Sequence, residues 1–256
     1  MDRISLSTVS PTEAPTRTPV TPAYLRIGDH LRSQIEAGSL APGDALPPER
    51  ELSATHGVSR MTARKALSVL EGEGLIFRDA TRGTFVAKPR LPLRVGSFSK
   101  EVERGGGRAG AEVVWTREQA AGRTVASAFG LNELDRVHVI QRLRRWDDEP
   151  VAVETTYYPA DLLPDFLDGD LHGSLWDRLG EYGITLSTTT ATVEVVALDA
   201  EVGPLLDARQ GMPGLHMTRQ TFDDDGRCVE YARDVYRADR VALTIDRPLQ
   251  DRLSDD

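Results

Sequence analysis

The sequence contains little cysteine and little histidine, and both scarcities limit its chemistry. Cys228 is its single cysteine, so no disulfide can close within the chain, and we expect a protein of a reducing compartment, the cytoplasm. The five histidines show no metal-ligand spacing with acidic or cysteine neighbours. We therefore expect neither a metal nor a cofactor.

Long hydrophobic runs are missing as well. No stretch of eighteen consecutive apolar residues occurs, and the first residues lack the apolar core of a secretory signal. We expect no membrane-spanning segment and no membrane partner. Hydrophobic residues still make up 39% of the 256 positions, which is enough for one or two domains with a buried core.

The chain as a whole has no net positive charge, but its charge is unevenly distributed. The net charge of −9 taken alone argues against binding to nucleic acid. Between residues 21 and 90, however, ten Lys and Arg outnumber eight Asp and Glu, whereas from residue 91 onward thirty acidic residues outnumber nineteen basic ones. The acidic part should repel DNA, so any contact with DNA is expected in the N-terminal part.

The basic part shows helical periodicity. Apolar residues recur at three-to-four spacing from Tyr24 to Ile35, which predicts a first helix with one buried stripe. Pro47 and Pro48 predict the start of a second helix that ends near His56, because proline suits a first turn whose N–H groups have no acceptor.

A third helix and a hairpin follow. Ser59 predicts the N-cap of a helix that ends near Gly72 or Gly74, and cations crowd its first turn and a half. Two short strands then predict a hairpin, or wing, whose tip carries Arg78 and Arg82. A helix that docks in the major groove contacts bases mainly through its N-terminal residues, so this segment predicts a DNA-reading module. The alternative is a solvated charged face on a small helical domain.

Residues 24–86 resemble the winged helix-turn-helix of the GntR family of bacterial transcription factors. The pieces PPEREL, VSRMTARKAL, L-x-x-x-GLI and RGTFV occur in order and at family spacing. The resemblance implies that the head of helix two, the start of helix three and the wing tip reach DNA. The residues predicted to contact DNA are Arg50, Ser59, Arg60, Thr62, Arg64, Lys65, Arg82, Gly83 and Thr84.

The composition changes after the wing. AKPRLP, at residues 87–92, predicts an extended connection because its two prolines disfavour a helix. Residues 1–20, rich in Ser, Thr and Pro, are expected to be a disordered tail. The expected division is a tail at 1–20, a winged helix-turn-helix domain at 21–86, a linker at 87–96, an effector-binding domain at 97–247 and a tail at 248–256.

The C-terminal part has the mixed pattern of an α+β domain built on an antiparallel sheet, with two hairpins rich in turn-forming residues. Strands are predicted at 111–117, 137–146, 151–158, 188–197, 214–222 and 227–237. Helices are predicted at 100–104, 123–129, 174–182 and 200–208.

Period-two spacing places polar residues together on several of these strands. Arg142 shares a face with Arg144, and Glu230 shares one with Tyr236, while Glu154 lies among apolar and hydroxyl residues of its own strand. Such a face is either the water side of a half-buried sheet or a polar pocket. The pattern alone favours the water side.

Residues 97–246 resemble the UTRA effector-binding domain of the HutC branch of the GntR family. The motifs GSFSKEV, IQRLRRWDDEPVAVETTYYP, LHGSLWDRL and VEYARDVYRADR carry the resemblance. It implies a chorismate-lyase-like α+β fold without lyase activity. By analogy with members that bind phosphorylated amino sugars, it implies ligand roles for Ser97, Phe98, Ser99, Arg142, Arg144, Glu154, Ser174, Glu230 and Tyr236.

The predicted function is therefore a ligand-responsive regulator, most simply a repressor. A homodimer would present two recognition helices to an inverted-repeat DNA operator, with half-sites about 34 Å apart, and a small anionic effector would release it. A sugar phosphate is the leading effector, because guanidinium groups hold phosphate and carboxylate well. The sequence leaves the effector, the operator and the sign of regulation open.

Three other interpretations remain. The same type of regulator could sense a non-phosphorylated carboxylate, since sister branches recognise different molecules with one fold. The C-terminal domain could only dimerise, which would leave a constitutive DNA-binding protein. It could also be an enzyme of lyase type, but no nucleophile with a base beside it, no phosphate loop and no metal cluster can be proposed, so we expect no enzyme.

Overall fold

A computed structural model describes residues 21–79 and 81–245. The chain divides into two compact units, with the boundary between Lys88 and Pro89. The predicted tails at 1–20 and 248–256 lie outside the described residues. No helix in the described part of the chain is both long and apolar enough to span a membrane.

The first unit is a three-helix bundle followed by a hairpin, as the sequence predicted. Its antiparallel strands pair Ile76 with Val86 and Asp79 with Gly83. Apolar stripes from all three helices meet the inner face of the hairpin in one core. The elements are α1 (Ala23–Glu36), α2 (Glu49–His56), α3 (Arg60–Gly72), β1 (Ile76–Asp79) and β2 (Gly83–Val86).

The turn between α2 and α3 is determined locally. Gly57 ends α2 in the left-handed conformation, with φ of 63°, which glycine adopts without the steric cost of a Cβ. Ser59 then begins α3, and its Oγ accepts a hydrogen bond from the backbone N–H of Thr62 at 3.2 Å, as the N-cap prediction required. Three residues thereby join the two helices.

The strands described in the second unit are β3 (Leu91–Leu93), β4 (Ala109–Ala120), β5 (Arg136–Trp146), β6 (Glu149–Pro159), β7 (Leu186–Ala197), β8 (Pro213–Asp223), β9 (Cys228–Arg237) and β10 (Val241–Leu243). Six of them form an antiparallel sheet with strand order β4-β5-β6-β9-β8-β7. All six predicted strands are confirmed, and both predicted hairpins are present.

Helices pack on both faces of this sheet. On one face, α6 contributes Leu175 and Leu179 to a core that also contains Ile140 and Tyr158. On the other face, α5 packs over Val137 and its neighbours, and the region of α7 covers a separate cluster. The helices are α4 (Phe98–Arg104), α5 (Gly122–Phe129), α6 (Leu175–Glu181) and α7 (Val202–Leu205).

Part of the expected linker is folded, which corrects the predicted boundary. Leu91 and Leu93 are buried, and the strand that contains them pairs in parallel with β10 from the end of the described chain. The prolines of this segment exclude a helix but are compatible with a short edge strand, so two leucines spaced by two can bury on one side. The helix predicted at 200–208 is also shorter, and it ends at Leu205.

Candidate DNA-binding surface and effector pocket

The exposed start of α3 carries the predicted base-reading residues. Arg60, Arg64 and Lys65 are exposed, and Met61 beside them has a relative exposure of 66%. Thr62 is half-buried, and its hydroxyl lies 2.9 Å from that of Ser59. Ser59 is thus occupied in capping α3, although it remains exposed on the same surface.

Arg64 is held by a carboxylate from the neighbouring helix. Its Nε lies 2.9 Å from Oε1 of Glu49, and its Nη2 lies 2.8 Å from Oε2. The hydrogen bond from Arg64 holds the pKa of Glu49 below its ordinary value. The first turn of α2 therefore holds Arg64 of α3.

Other predicted DNA contacts are distributed around this helix. Arg50 is exposed on α2, and the Lys65 ammonium lies 4.0 Å from the centre of the Tyr24 ring. At the wing, the Arg82 guanidinium lies over the Phe85 ring at 5.1 Å. Gly83 has φ of +117°, a conformation that suits glycine, and Thr84 next to it is half-buried.

Arg78 does not extend from the wing tip as the sequence suggested. Its Nη2 donates to the hydroxyl of Ser68 at 3.1 Å, and its Nε lies 3.2 Å from a carboxylate oxygen of Glu71. Both partners belong to α3, so Arg78 joins the wing to the recognition helix.

The second unit contains a polar pocket with about 260 Å³ of free space, part of it open to solvent. Eight of the nine predicted ligand residues line it. Tyr236 does not line it, because its ring packs in an adjacent core and its hydroxyl lies 3.4 Å from Asp234. The full lining is Gly96, Ser97, Phe98, Ser99, Arg142, Arg144, Glu154, Ser174, Leu175, Trp176, Arg219 and Glu230.

The strand-face pattern was interpreted wrongly as the water side of the sheet. Arg142 and Arg144 are each 3% exposed, Glu154 is 6% exposed and Glu230 is 1% exposed. The residues before and within α4 and α6 cover this face, and strand alternation alone carries no information about such a cover. The charged side chains are therefore buried around a cavity.

Arg142 has nearly exhausted its hydrogen-bonding capacity. Its Nε donates to Glu154 at 2.8 Å, and its Nη2 donates to the same carboxylate oxygen. Its Nη1 donates to the carbonyl oxygens of Leu171 at 3.0 Å and Gly173 at 2.8 Å. These bonds tie the loop before α6 to the sheet, so Arg142 shapes the pocket more than it offers donors to it.

Arg144 is less completely paired. Its Nη2 donates to the hydroxyl of Ser99 at 2.9 Å, and its guanidinium carbon lies 4.5 Å from the centre of the Phe98 ring. Its Nη1 is 3.7 Å from Glu154, a distance too long for a hydrogen bond. Its buried Nε has no hydrogen-bond partner among the described residues.

Arg219 is a third cation of the pocket, and sequence reasoning missed it. Its guanidinium lies 3.4 Å from Glu230 through Nε and 3.4 Å from Asp234 through Nη1. The Nε contact lacks hydrogen-bond geometry, so this buried donor is also unpartnered within the described chain. The cross-strand pairing of Thr221 with Glu230 puts Arg219 on the pocket side of β8, a register that a sequence alignment of hairpin strands could have suggested.

Neutral donors already satisfy Glu230. The hydroxyl of Tyr158 donates to one carboxylate oxygen at 2.9 Å, and the indole of Trp176 and the hydroxyl of Thr221 donate to the other at 2.9 and 2.8 Å. Glu230 therefore has little capacity left for Arg219. The pocket lining thus has three guanidinium groups and two carboxylates, both of which are largely engaged.

Two buried carboxyl groups at or near the pocket, those of Glu154 and Asp234, have pKa values shifted in opposite directions. Burial alone would raise the pKa of Glu154, but Arg142, Arg144 and Arg219 lower it to about 2. Burial raises the pKa of Asp234 to about 7, and the nearby Arg219 offsets this only in part. Glu154 therefore remains an anion, while Asp234 is poised to hold a proton near neutral pH.

Ser174 lines the pocket as the N-cap of α6. Its Oγ accepts a hydrogen bond from the backbone N–H of Asp177 at 3.3 Å. Ser97 occupies the corresponding position before α4, where its side chain makes no capping hydrogen bond. The Ser97 hydroxyl is therefore the freer of the two.

Two family profiles match the chain. Residues 23–86 match the bacterial regulatory proteins of the gntR family, and residues 104–242 match the UTRA domain. The two matched segments lie on either side of the boundary between the two compact units.

Individual proteins are similar over most of the chain. The transcriptional repressor NagR of Bacillus subtilis is 32% identical over 91% of this chain and 96% of its own length. The repressor PhnF of Mycolicibacterium smegmatis is 31% identical over 79% and 84%. The repressor MngR of the mannosyl-D-glycerate transport and metabolism system in Escherichia coli is 29% identical over 89% and 95%.

A solved structure has the same arrangement of elements. The crystal structure of PhnF from Mycobacterium smegmatis superposes with a TM-score of 0.65 at 28% identity, and it covers 87% of this chain and 99% of that one. The sequence resemblance, the fold and the two family matches agree. This chain belongs to the GntR family of bacterial transcriptional regulators, and it is of the HutC type, with a UTRA domain.

Proposed function

We propose that the protein is a repressor that binds an inverted-repeat operator as a homodimer and is released when a small anionic metabolite occupies the UTRA pocket. Family membership supports the regulatory role. The effector class is inferred from the charge of the pocket, where Arg144 and Arg219 are buried and their Nε donors have no hydrogen-bond partner among residues 21–79 and 81–245.

Burying a cation without a full set of acceptors costs free energy, which an anionic ligand would recover. A phosphate or carboxylate offers several oxygens, and its charge-assisted hydrogen bonds with guanidinium groups are short and strong. We assign this contact to Arg144 and Arg219, with the Ser97 and Ser99 hydroxyls beside them. Glu154 then faces the remainder of the ligand, because the hydrogen bonds from Arg142 go to only one of its carboxylate oxygens and a carboxylate suits a hydroxyl or amine group.

The lead effector is a phosphorylated sugar or amino sugar. Its anionic group suits Arg144 and Arg219, and its hydroxyl groups suit Glu154 and the serine hydroxyls of the pocket. The similar protein MngR is named for mannosyl-D-glycerate, a sugar joined to a carboxylate, which has the same two kinds of group. A non-phosphorylated sugar acid is therefore the second candidate.

Release requires different ligand affinities in the DNA-bound and DNA-free states. A coupling free energy of about 1 to 3 kcal/mol between the two sites would change operator affinity about 5- to 150-fold. A twofold dimer would engage two half-sites about one helical turn apart. Because the two contacts are linked, the dimer would bind the whole operator more tightly than one recognition helix binds a single half-site.

Thermal unfolding with a panel of sugar phosphates and sugar acids tests the effector site. A ligand that binds the folded state, at 100 times its dissociation constant, adds about 2.7 kcal/mol of stability. We expect a clear rise in melting temperature for one compound class, lost in Arg219→Gln and in Arg144→Gln. Arg117→Gln is the matched control, because it removes an exposed cation from the same sheet. Equal shifts in all four proteins would place the ligand elsewhere.

A further inference from the structure

Glu49 and Arg64 form a two-residue unit on the surface predicted to read DNA. The carboxylate of Glu49 faces one edge of the guanidinium, with Nε···Oε1 at 2.9 Å, Nε···Oε2 at 3.1 Å and Nη2···Oε2 at 2.8 Å. This side-on pairing uses the Nε hydrogen and one Nη2 hydrogen. Among the described residues, it leaves both Nη1 hydrogens and the second Nη2 hydrogen without a partner. One hydrogen of Nη1 and this hydrogen of Nη2 form the end of the guanidinium.

Glu49 is well placed to hold Arg64 in this arrangement. Glu49 lies in the first turn of α2, where the helix dipole stabilises an anion. Its side chain has a relative exposure of 26%, against 54% for Arg64. The carboxylate is therefore the more anchored of the two groups, and the guanidinium is the group that extends into solvent.

We infer that Glu49 is a positioning residue that presents the end of the Arg64 guanidinium to a guanine in each half-site. The inference rests on the proposed operator binding. The free Nη1 and Nη2 donors are parallel and point the same way, which is the geometry that pairs with the O6 and N7 acceptors of guanine in the major groove. Arg64 follows the N-cap of α3 by five residues, in the part of a recognition helix that reaches base edges.

Charge favours a base edge over a phosphate as the partner of this unit. Glu49 and Arg64 together are close to neutral, and a carboxylate next to a phosphate would be repelled. A guanine edge has acceptors without a formal charge, so the pair keeps its own attraction while it binds. Pre-paired Arg64 also loses less rotamer freedom on binding than a free arginine would.

Selection from a random-sequence duplex library tests the inference without a known operator. The full-length wild type, Glu49→Gln, Arg64→Ala and Glu51→Gln are each used to recover bound duplexes, and the sequences are compared. Glu51 is the matched control, since it is an exposed glutamate on the same helix and no ion pair of its side chain is seen in the described residues. Both Gln variants remove one negative charge near DNA, so both gain similar non-specific affinity.

The wild type and Glu51→Gln should recover a motif with a required guanine in each half-site. Arg64→Ala should lose that guanine preference, and Glu49→Gln should weaken it. In direct titration, replacing that guanine by adenine should cost the wild type about 10-fold or more in affinity. In Glu49→Gln the loss should fall to about threefold or less. In an Arg64→Ala background, Glu49→Gln should have no further effect on base preference.

Several results would overturn the inference. A guanine preference retained by Arg64→Ala would exclude Arg64 as the reader, and one retained by folded Glu49→Gln and Glu49→Ala proteins would exclude a positioning role. In both cases a recovered motif would leave the proposed operator binding intact. Recovery of no motif by the wild type would contradict sequence-specific binding itself, and with it this inference.

Discussion

The buried arginines of the pocket differ in how many of their hydrogen-bond donors are already used, and Arg142 has the fewest left. The UTRA resemblance implies a ligand role for it, but its donors are occupied by Glu154 and by the carbonyl oxygens of Leu171 and Gly173. In the described part of the chain, Arg144 and Arg219, by contrast, each keep an Nε without a hydrogen-bond partner. Arg142 thus builds the site, and we propose that Arg144 and Arg219 bind the ligand.

Arg142→Ala should therefore act first on stability. The substitution leaves Glu154 buried without its main partner, and breaking a buried pair in this way costs about 3 to 5 kcal/mol. Urea unfolding measures the change in the free energy of unfolding. Arg145→Ala is the control on the same strand, because its ion pair with Glu112 is more exposed and should contribute no more than about 1 kcal/mol. Equal losses from the two variants would disprove the structural role of Arg142.

Asp234 gives a pH-dependent prediction. Its folded pKa of about 7 exceeds the ordinary value of 3.8, so the folded protein keeps a proton that the unfolded chain has released. Wild-type stability should fall as the pH rises from about 4 to about 7, relative to a variant without this carboxyl.

Asp234→Asn should therefore gain stability relative to the wild type over that range, by roughly 1 to 4 kcal/mol above pH 7. Below pH 4 the pH-dependent part of the difference should vanish. Urea unfolding at several pH values measures it, with the exposed Asp224→Asn as a control. A difference that does not change with pH would show that Asp234 is ionised throughout.

At the scale of elements, local signals predicted most of the fold. The N-cap Ser59, the αL Gly57 and the turn-forming aspartates of the β5–β6 hairpin define element ends through short-range chemistry. Asp147 and Asp148 both have positive φ, as a tight hairpin turn requires. Between these ends, the alternation of apolar and polar residues indicated the strands, so all six strands of the large sheet were predicted.

Elements that depend on distant partners were not found. Leu91–Leu93 and Val241–Leu243 are three residues each, and they pair across about 150 positions of the sequence. Nothing within either segment distinguishes it from a loop. The same limit applies to the pocket, because the cover that buries Arg144 and Glu154 comes from other parts of the chain. Family resemblance nevertheless selected eight residues that line one pocket, whereas Arg219 required the register of β8 and β9.

The cap of the recognition helix can be tested at this scale. Ser59→Ala removes the acceptor for the Thr62 N–H, which should cost about 0.5 to 2 kcal/mol of stability. Because the same residue lies on the predicted DNA surface, operator affinity should fall as well. Thermal unfolding and DNA titration separate the two effects. Ser59→Asn restores a capping acceptor without adding a charge, so recovery of stability without recovery of affinity would assign Ser59 a direct DNA contact, and an unchanged melting temperature in Ser59→Ala would contradict the cap.

For the whole molecule, the two units differ in net charge, and they also contain different candidate sites. The part after residue 90 has a net charge of −11, whereas residues 21–90 have a small basic excess of +2, which gives −9 for the whole chain. The recognition helix, with its exposed cations, lies in the first unit, and the pocket lies entirely in the second. The net charge of the whole chain alone would not reveal the basic excess of the unit that contains the recognition helix.

The central claim is that occupation of the UTRA pocket releases DNA, and one titration tests it directly. A fluorescent duplex selected by the full-length protein is bound to saturation, and the effector found by thermal unfolding is added to the wild type and to Arg219→Gln. We predict a 5- to 150-fold loss of operator affinity in the wild type and no response in Arg219→Gln, which still binds the duplex. Unchanged affinity in the wild type with the pocket filled would contradict the account.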